Sequence, residues 1–108
     1  MTIDAARAED PPERLTAHDA RQLLEHERTS RLSQLAAVEN DEHHAADDLM
    51  AVQAAAVRRV LKEIDAAFER LDRGTYGTCQ DCGTAIPAER LEILPYARCC
   101  VGCQRRTA

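Results

Sequence analysis

Apolar residues recur at helical spacing in two long segments of this chain. In the second segment the larger ones follow at steps of three, four and seven: Leu49, Val52, Val57, Val60, Leu61, Ile64, Phe68 and Leu71. In the first segment they are fewer: Leu23, Leu24, Leu32, Leu35 and Val38. Neither segment contains Gly or Pro. The pattern predicts two amphipathic helices, over about 17–40 and 47–72, the first with only a thin apolar stripe.

Both helices carry recognisable end signals. Thr16 is a candidate N-cap with Asp19 three residues on, close to a capping box. Gly74 supplies a stop after the second helix, and Arg70 and Arg73 in its last turn suit the helix dipole.

A polar break separates the two helices. Residues 39–48 contain five acidic residues and no bulky apolar one. Two helices of similar length joined by such a break predict an antiparallel hairpin with its tip near 40–48. One continuous helix that dimerises is the alternative.

The chain divides into three parts on this pattern. Residues 1–15 contain Pro11-Pro12 and no apolar periodicity, which predicts a mobile tail. Residues 16–73 form the hairpin, and residues 74–108 form a small C-terminal module. The predicted fold class is all-α.

Composition limits the core that this chain can build. Aromatic residues make up 3% of the sequence, Trp is absent, and Ala supplies much of the apolar fraction. A short chain with so few bulky side chains usually needs a covalent or metal cross-link for stability.

Two cysteine pairs in the C-terminal module supply such a link. Cys79 and Cys82 form one Cys-x-x-Cys pair, Cys100 and Cys103 form another, and seventeen residues lie between the pairs. Four thiolates at this spacing predict one tetrahedral zinc site. Because all four positions are filled, the zinc is structural, and Pro87, Ile86, Leu91, Ile93 and Leu94 belong to the loop that shields it. Two disulfides, free thiols and an iron–sulfur cluster are the alternatives.

Cys99 is a fifth cysteine beside the second pair. It would form a Cys-x-x-x-Cys pair with Cys103, so it is a possible substitute ligand. A partly buried free thiol without a role is the first interpretation. A redox-sensing thiol activated by Arg98 is the second.

The charge distribution bears on partners and location. The net charge is −5, with −7 in residues 1–48 and +2 in residues 49–108. This balance argues against a general nucleic-acid coat and is compatible with a basic protein partner. No apolar run is long enough to span a bilayer, and the N-terminus lacks a secretory signal, so we expect a cytoplasmic protein without membrane contact.

The C-terminal module resembles the DksA/TraR family of bacterial transcription regulators. The resemblance rests on Gly74-Thr75-Tyr76-Gly77-Thr78-Cys79-Gln80-Asp81-Cys82-Gly83, on the Arg90-Leu91-Glu92 segment, and on Leu94-Pro95-Tyr96 through Cys103. It covers about residues 40–106 and implies that the module ends in a short helix, from Val101 to Arg106. In this alignment Cys100 takes the ligand position and Cys99 a non-ligand position.

The resemblance implies a function. Members of the family bind RNA polymerase rather than DNA, insert the hairpin into the secondary channel, and alter the lifetime of promoter complexes. Some act together with the alarmone ppGpp. We therefore expect a monomeric, non-catalytic regulator that binds bacterial RNA polymerase, with ppGpp as a candidate second ligand and no sequence-specific DNA contact.

The hairpin tip is where the chain departs from the family pattern. Well-characterised members carry Asp-x-x-Asp-x-Ala there, whereas this chain has His44 at the second acid. A pH-responsive tip is one interpretation of His43 and His44, and solvated side chains are the other. The residues expected to contact the partner are Asp41, Glu42, His44, Asp47 and Asp48.

Two other function classes are compatible with the residues. A zinc-ribbon nucleic-acid binder would use Arg90, Arg98, Arg105 and Arg106, although no dense basic patch is evident. A structural coiled-coil adaptor would self-associate through the apolar stripe. No nucleophile–base pair, open metal position or phosphate-cradling loop is evident, so we expect no enzyme activity.

Overall fold

The computed structural model describes residues 15–40 and 48–107. Four helices lie in these ranges: α1 (Ala17–Glu39), α2 (Asp48–Arg73), α3 (Ala88–Ile93) and α4 (Val101–Thr107). The described ranges contain no strand and one isolated antiparallel bridge, between Thr78 and Ala85. The predicted all-α class is confirmed.

Helices α1 and α2 form an antiparallel hairpin. Ion pairs between them join Arg21 to Asp72, Arg28 to Asp65 and Glu39 to Arg58. Residues further along α1 pair with residues earlier in α2, so the two helices run in opposite directions. The hairpin prediction is confirmed, and the alternative of one continuous helix is wrong.

These interhelical pairs fix the register more than they add stability. Arg21 and Arg28 are seven residues apart, as are Asp72 and Asp65, so the two pairs repeat after two turns along the same seam. All four side chains are substantially exposed, and exposed pairs contribute only about 0–1 kcal/mol each.

The helix ends follow the sequence signals. The Thr16 hydroxyl accepts a hydrogen bond from the amide of Asp19 at 3.0 Å, which caps α1. Gly74 ends α2 with φ +80°, a left-handed conformation that glycine adopts without strain. The amide of Thr75 then donates to the Arg70 carbonyl at 2.9 Å, which satisfies one of the last carbonyls of the helix.

The apolar stripe is most deeply buried near the base of the hairpin. Leu24, Ile64 and Ala67 are fully buried there. The partly buried residues packed on them include Val60, Leu61, Phe68 and Leu71. Towards the tip, by contrast, Leu49 and Val52 remain 61% and 64% exposed. Burial nevertheless extends outward along α2 to Val57 and Ala54, which are 4% and 6% exposed. The hairpin is therefore an arm whose packing weakens only at its outermost turns.

A buried arginine joins the arm to the C-terminal module. Arg70 is 8% exposed, and its guanidinium donates to the carbonyls of Tyr96 and Ala97 at 3.3 and 3.4 Å. The Tyr76 hydroxyl donates to the preceding carbonyl, that of Pro95, at 2.7 Å. The arm thus binds two consecutive carbonyls through Arg70, and Tyr76 of the module binds the one before them.

The C-terminal module has a second, separate core. Its buried members are Cys79, Ile86, Leu91, Ala97, Cys99 and Cys103. Leu15, which the sequence analysis assigned to the tail, packs against this cluster; the remaining tail residues, 1–14, lie outside the described residues. Ile93 was expected to shield the metal, and this is wrong: it is 78% exposed at the end of α3.

None of the helices in the described part of the chain is both long and apolar enough to cross a membrane.

Candidate metal centre

Two tight loops carry the two cysteine pairs. In the first, the Gly83 amide donates to the Cys79 carbonyl at 3.0 Å, and Gly83 has φ +78°. The Cys79 amide donates to the Thr84 carbonyl at 2.8 Å, so the loop folds back beside the Thr78–Ala85 bridge. This turn places Cys79 and Cys82 on the same side of the loop.

The second pair lies at the start of α4. Cys100 directly precedes the helix and Cys103 is in its first turn, where the Gln104 amide donates to the Cys100 carbonyl at 2.9 Å. The Gln80 amide donates to the Arg98 carbonyl at 2.8 Å, which ties the first loop to the segment that enters the second. The two pairs therefore face each other.

The four sulfur atoms form a compact group. The Sγ atoms of Cys79, Cys82, Cys100 and Cys103 all lie within 4.8 Å of one another. The Sγ atoms of Cys82 and Cys100 are 3.8 Å apart. A regular tetrahedron with zinc–sulfur bonds of about 2.3 Å has edges of about 3.8 Å, so this donor set fits zinc.

The thiols in this group hold their protons with very different strength. Hydrogen bonds from the backbone amides of Cys100 and Cys82 lower the pKa of Cys79 to about 6. Burial and the neighbouring sulfur of Cys100 raise the pKa of Cys103 to about 12. Four thiolates cannot share this space without a cation, and a divalent ion removes the conflict by compensating their charge.

Two side chains form hydrogen bonds with these sulfurs. The Arg106 guanidinium lies 3.0 Å from the Cys103 Sγ, and the Thr84 hydroxyl lies 3.0 Å from the Cys82 Sγ. Neither contact was predicted from the sequence. The signal for Arg106 was present, because residues three apart on a helix share a face and both residues lie in the predicted terminal helix.

Cys99 lies outside the sulfur group. Its side chain is 2% exposed, and its thiol donates to the Asp81 carboxylate at 3.5 Å. Burial raises the pKa of Cys99, followed by the Asp81 hydrogen bond. The suggestion that Arg98 activates this thiol is wrong, because these two effects outweigh the arginine.

The predicted contact residues of the tip are only partly within the described chain. Asp41, Glu42, His44 and Asp47 lie outside the described residues. Asp48 is the first residue of α2 and is exposed. Its carboxylate stands in the first turn, where it complements the helix dipole.

A cationic cleft lies between α2 and the C-terminal module. It encloses about 240 Å³ and is lined by Arg59, Lys62, Glu63, Ala66, Arg70, Tyr96 and Arg98. A neighbouring cavity of about 290 Å³ is lined in part by Arg90, whose buried Nε has no hydrogen-bond partner. Arg90 and Arg98 were candidates from the sequence, but the cleft itself could not be predicted, because the residues that line it come from two units distant in sequence.

Comparison with known proteins identifies the C-terminal module. The profile of the "Prokaryotic dksA/traR C4-type zinc finger" family matches residues 74–107. The RNA polymerase-binding transcription factor DksA of Haemophilus influenzae is 38% identical over 47 residues, which are 44% of this chain and 32% of that protein. Matches to curated relatives cover about a third of their length.

Solved structures extend the similarity to the arm. Transcription factor DksA2 from Pseudomonas aeruginosa is 31% identical, with a TM-score of 0.51, over 81% of this chain and 73% of that one. The Dks protein from Chlamydia trachomatis, described as an RNA polymerase binding protein and transcriptional regulator, is 24% identical with a TM-score of 0.53. The similarity covers 87% of this chain and 92% of that one, and it shows the shared fold.

The family profile and the sulfur geometry agree with each other. A C4-type finger binds zinc through four cysteines, and four cysteine sulfurs lie here within 4.8 Å of one another, close enough to share one ion. The protein thus carries one structural zinc ion, as predicted from the cysteine spacing. On the similarity of both arm and finger, this chain belongs to the DksA/TraR family of zinc-finger proteins.

Proposed function

We propose that this protein binds bacterial RNA polymerase and regulates transcription initiation by inserting its arm into the secondary channel. The observation that carries the proposal is the arm fixed on a C4 finger, an architecture shared with DksA2 over 73% of that chain. A relative that shares the finger, the Haemophilus influenzae DksA, is named as an RNA polymerase-binding transcription factor.

The zinc would support this function rather than perform chemistry. We assign Cys79, Cys82, Cys100 and Cys103 as its ligands, since their sulfurs form the group described above. Four thiolates fill a tetrahedral site and leave no position for water or substrate. The ion would hold the finger together, and the protein would act without catalysis.

The arm suits a channel that contains cations. Residues 1–48 carry a net charge of −7, and Asp41, Glu42, Asp47 and Asp48 cluster in or beside the tip. An acidic tip would be drawn towards a basic channel and the metal ion at its end. His44 would contact the same region with a side chain that gains charge below neutral pH.

The cationic cleft gives ppGpp a candidate site. Its phosphates would meet Arg59 and Lys62 on α2 and Arg98 on the finger, which line the cleft from its two sides. The proposal also entails a cytoplasmic monomer without sequence-specific DNA binding.

A competition titration tests the proposal. Labelled, zinc-loaded protein is titrated against RNA polymerase core enzyme, with and without ppGpp and with a known secondary-channel ligand as competitor. Binding in the micromolar range or tighter that the competitor displaces is the expected result. Binding that the competitor leaves unchanged, or no binding at physiological salt, would contradict it.

Paired variants isolate the tip in the same assay. The double variant Asp41→Ala, Glu42→Ala removes two charges from the tip and is expected to weaken binding or regulation. The control Glu25→Ala, Glu89→Ala removes two exposed charges from the base of the molecule and should have little effect. Equal losses in both would show that net charge, rather than the tip, matters.

A further inference from the structure

The four sulfurs of the zinc site receive different hydrogen-bond donors. The backbone amides of Cys100 and Cys82 donate hydrogen bonds to the Cys79 sulfur, and the Cys103 amide donates one to the Cys100 sulfur. The Cys82 sulfur has the Thr84 hydroxyl at 3.0 Å. The Cys103 sulfur alone has a cationic donor, the Arg106 guanidinium at 3.0 Å.

Position and burial make the Cys103 contact consequential. The Cys103 side chain is 2% exposed, so water compensates little of the charge on its thiolate. A zinc ion bound by four thiolates leaves the site with two net negative charges, and a buried anion requires a compensating partner. Arg106 supplies both a hydrogen bond and a positive charge, the stronger kind of donor.

We propose that Arg106 is a positioning residue of the zinc centre, whose guanidinium holds the Cys103 thiolate on the metal and slows zinc release. Thr84 does the same for the exposed Cys82 with a weaker, uncharged donor. The inference rests on the ligand assignment in the proposed function. It adds that the last turn of α4 contributes to metal retention, although it contains no ligand.

The mechanism follows from what the donors do to sulfur. A hydrogen bond to a thiolate draws electron density from the lone pairs, which makes the sulfur a poorer nucleophile towards protons and electrophiles. A zinc-bound thiolate that is slow to take a proton is also slow to leave the metal. Loss of an outer partner of a metal ligand typically costs 10–100-fold in metal affinity.

Arg105 provides a matched control. It precedes Arg106 in the last turn of α4, carries the same charge, and is exposed. Arg106→Gln and Arg105→Gln therefore change the net charge equally, but only the first removes a donor from the sulfur. Arg106→Lys keeps the charge and a donor. For Cys82, Thr84→Ser keeps the hydroxyl and Thr84→Val removes it.

The test uses the full-length protein loaded with zinc or with cobalt. The rate of zinc transfer to a chromogenic chelator should rise about 10-fold in Arg106→Gln relative to Arg105→Gln, with partial rescue in Arg106→Lys. In the cobalt form, the thiolate-to-cobalt charge-transfer band should move to longer wavelength in Arg106→Gln alone. Far-ultraviolet circular dichroism confirms that each variant is folded.

The outcomes separate the two proposals. Identical release rates and spectra for Arg106→Gln and Arg105→Gln would overturn the role of Arg106 while leaving the ligands intact. A wild-type cobalt spectrum without four-thiolate intensity would overturn the ligand assignment and this inference with it. Neither result depends on whether the protein binds polymerase.

Discussion

Individual side chains decide how the arm meets the finger. Arg70 is the one charged side chain that is buried in the described part of the chain, and its guanidinium donates hydrogen bonds to backbone carbonyls of the finger. Tyr76, within the finger, donates its hydroxyl to the adjacent carbonyl of Pro95. The cysteine spacing made the zinc site predictable. The contacts of Arg70 and Tyr76 could not be predicted, because every residue has a backbone carbonyl and the sequence does not show which one accepts a hydrogen bond.

Replacing Arg70 should be costly. Arg70→Leu removes two hydrogen bonds from a charged donor to buried carbonyls, and we expect it to lower the free energy of unfolding by about 2–3 kcal/mol. Arg73→Leu, three residues on, removes only an exposed ion pair with Glu69, in which the nitrogen and oxygen are 3.9 Å apart. It should change the free energy of unfolding by less than about 0.5 kcal/mol. Denaturant unfolding at fixed zinc concentration measures both, and equal effects would show that Arg70 does not join the two units.

We expect the Tyr76 hydroxyl to ionise at a higher pH in the folded protein than in the unfolded chain. Burial raises the pKa of Tyr76 from 10.0 to about 12, with Arg70 opposing the shift. The unfolded chain loses this proton near pH 10 while the folded protein keeps it, so the associated stability is lost as the pH rises from about 10 to about 12. Tyrosinate absorbance in Tyr96→Phe should therefore titrate well above pH 10 when folded and near pH 10 in denaturant. Titration near pH 10 in both states would contradict the buried hydroxyl.

At the scale of the elements, strength of pattern decided what could be predicted. α1 and α2 are long and capped, and their predicted ends lie within one residue of Glu39, Asp48 and Arg73. α3 was taken for a loop, because it has six residues and Pro87 at its N-cap offers no side-chain hydrogen bond. The finger core orders this short helix through tertiary contacts, which periodicity does not reveal.

The unequal burial along the arm predicts unequal sensitivity to mutation. Leu24 is fully buried between α1 and α2, so Leu24→Ala should lower the free energy of unfolding by about 2–5 kcal/mol. Leu32 lies on the same helix but is 45% exposed, and Leu32→Ala should cost less than about 1 kcal/mol. Thermal unfolding of the zinc-loaded variants would distinguish them. A larger loss at Leu32 would place the core elsewhere along the arm.

In the residues that the structure describes, the molecule has two cores, joined by hydrogen bonds and by Tyr76, which packs against both. One core lies between α1 and α2, and the other contains Cys79, Cys99 and Cys103. The second core depends on the metal because two of these cysteines are proposed ligands. The sequence predicted both units, but not how rigidly they are joined.

Removal of zinc should therefore loosen the molecule in a defined order. Amide hydrogen exchange should rise first in the finger and in the last turn of α2, which Arg70 connects to Tyr96 and Ala97. The helical core around Leu24 and Ile64 should retain its protection. A uniform increase along the whole arm would mean that the two cores are not separable.

The central claim is that the arm enters the polymerase, and position-specific photo-crosslinking tests it most directly. A photoreactive amino acid replaces Ala46 at the tip in one variant and exposed Glu89 on the finger in another, each mixed with RNA polymerase core enzyme. We predict that Ala46 crosslinks to the polymerase beside its catalytic centre and that Glu89 crosslinks near the channel entrance. Crosslinks from Ala46 only to the outer surface of the polymerase, or none that a secondary-channel ligand suppresses, would contradict the account.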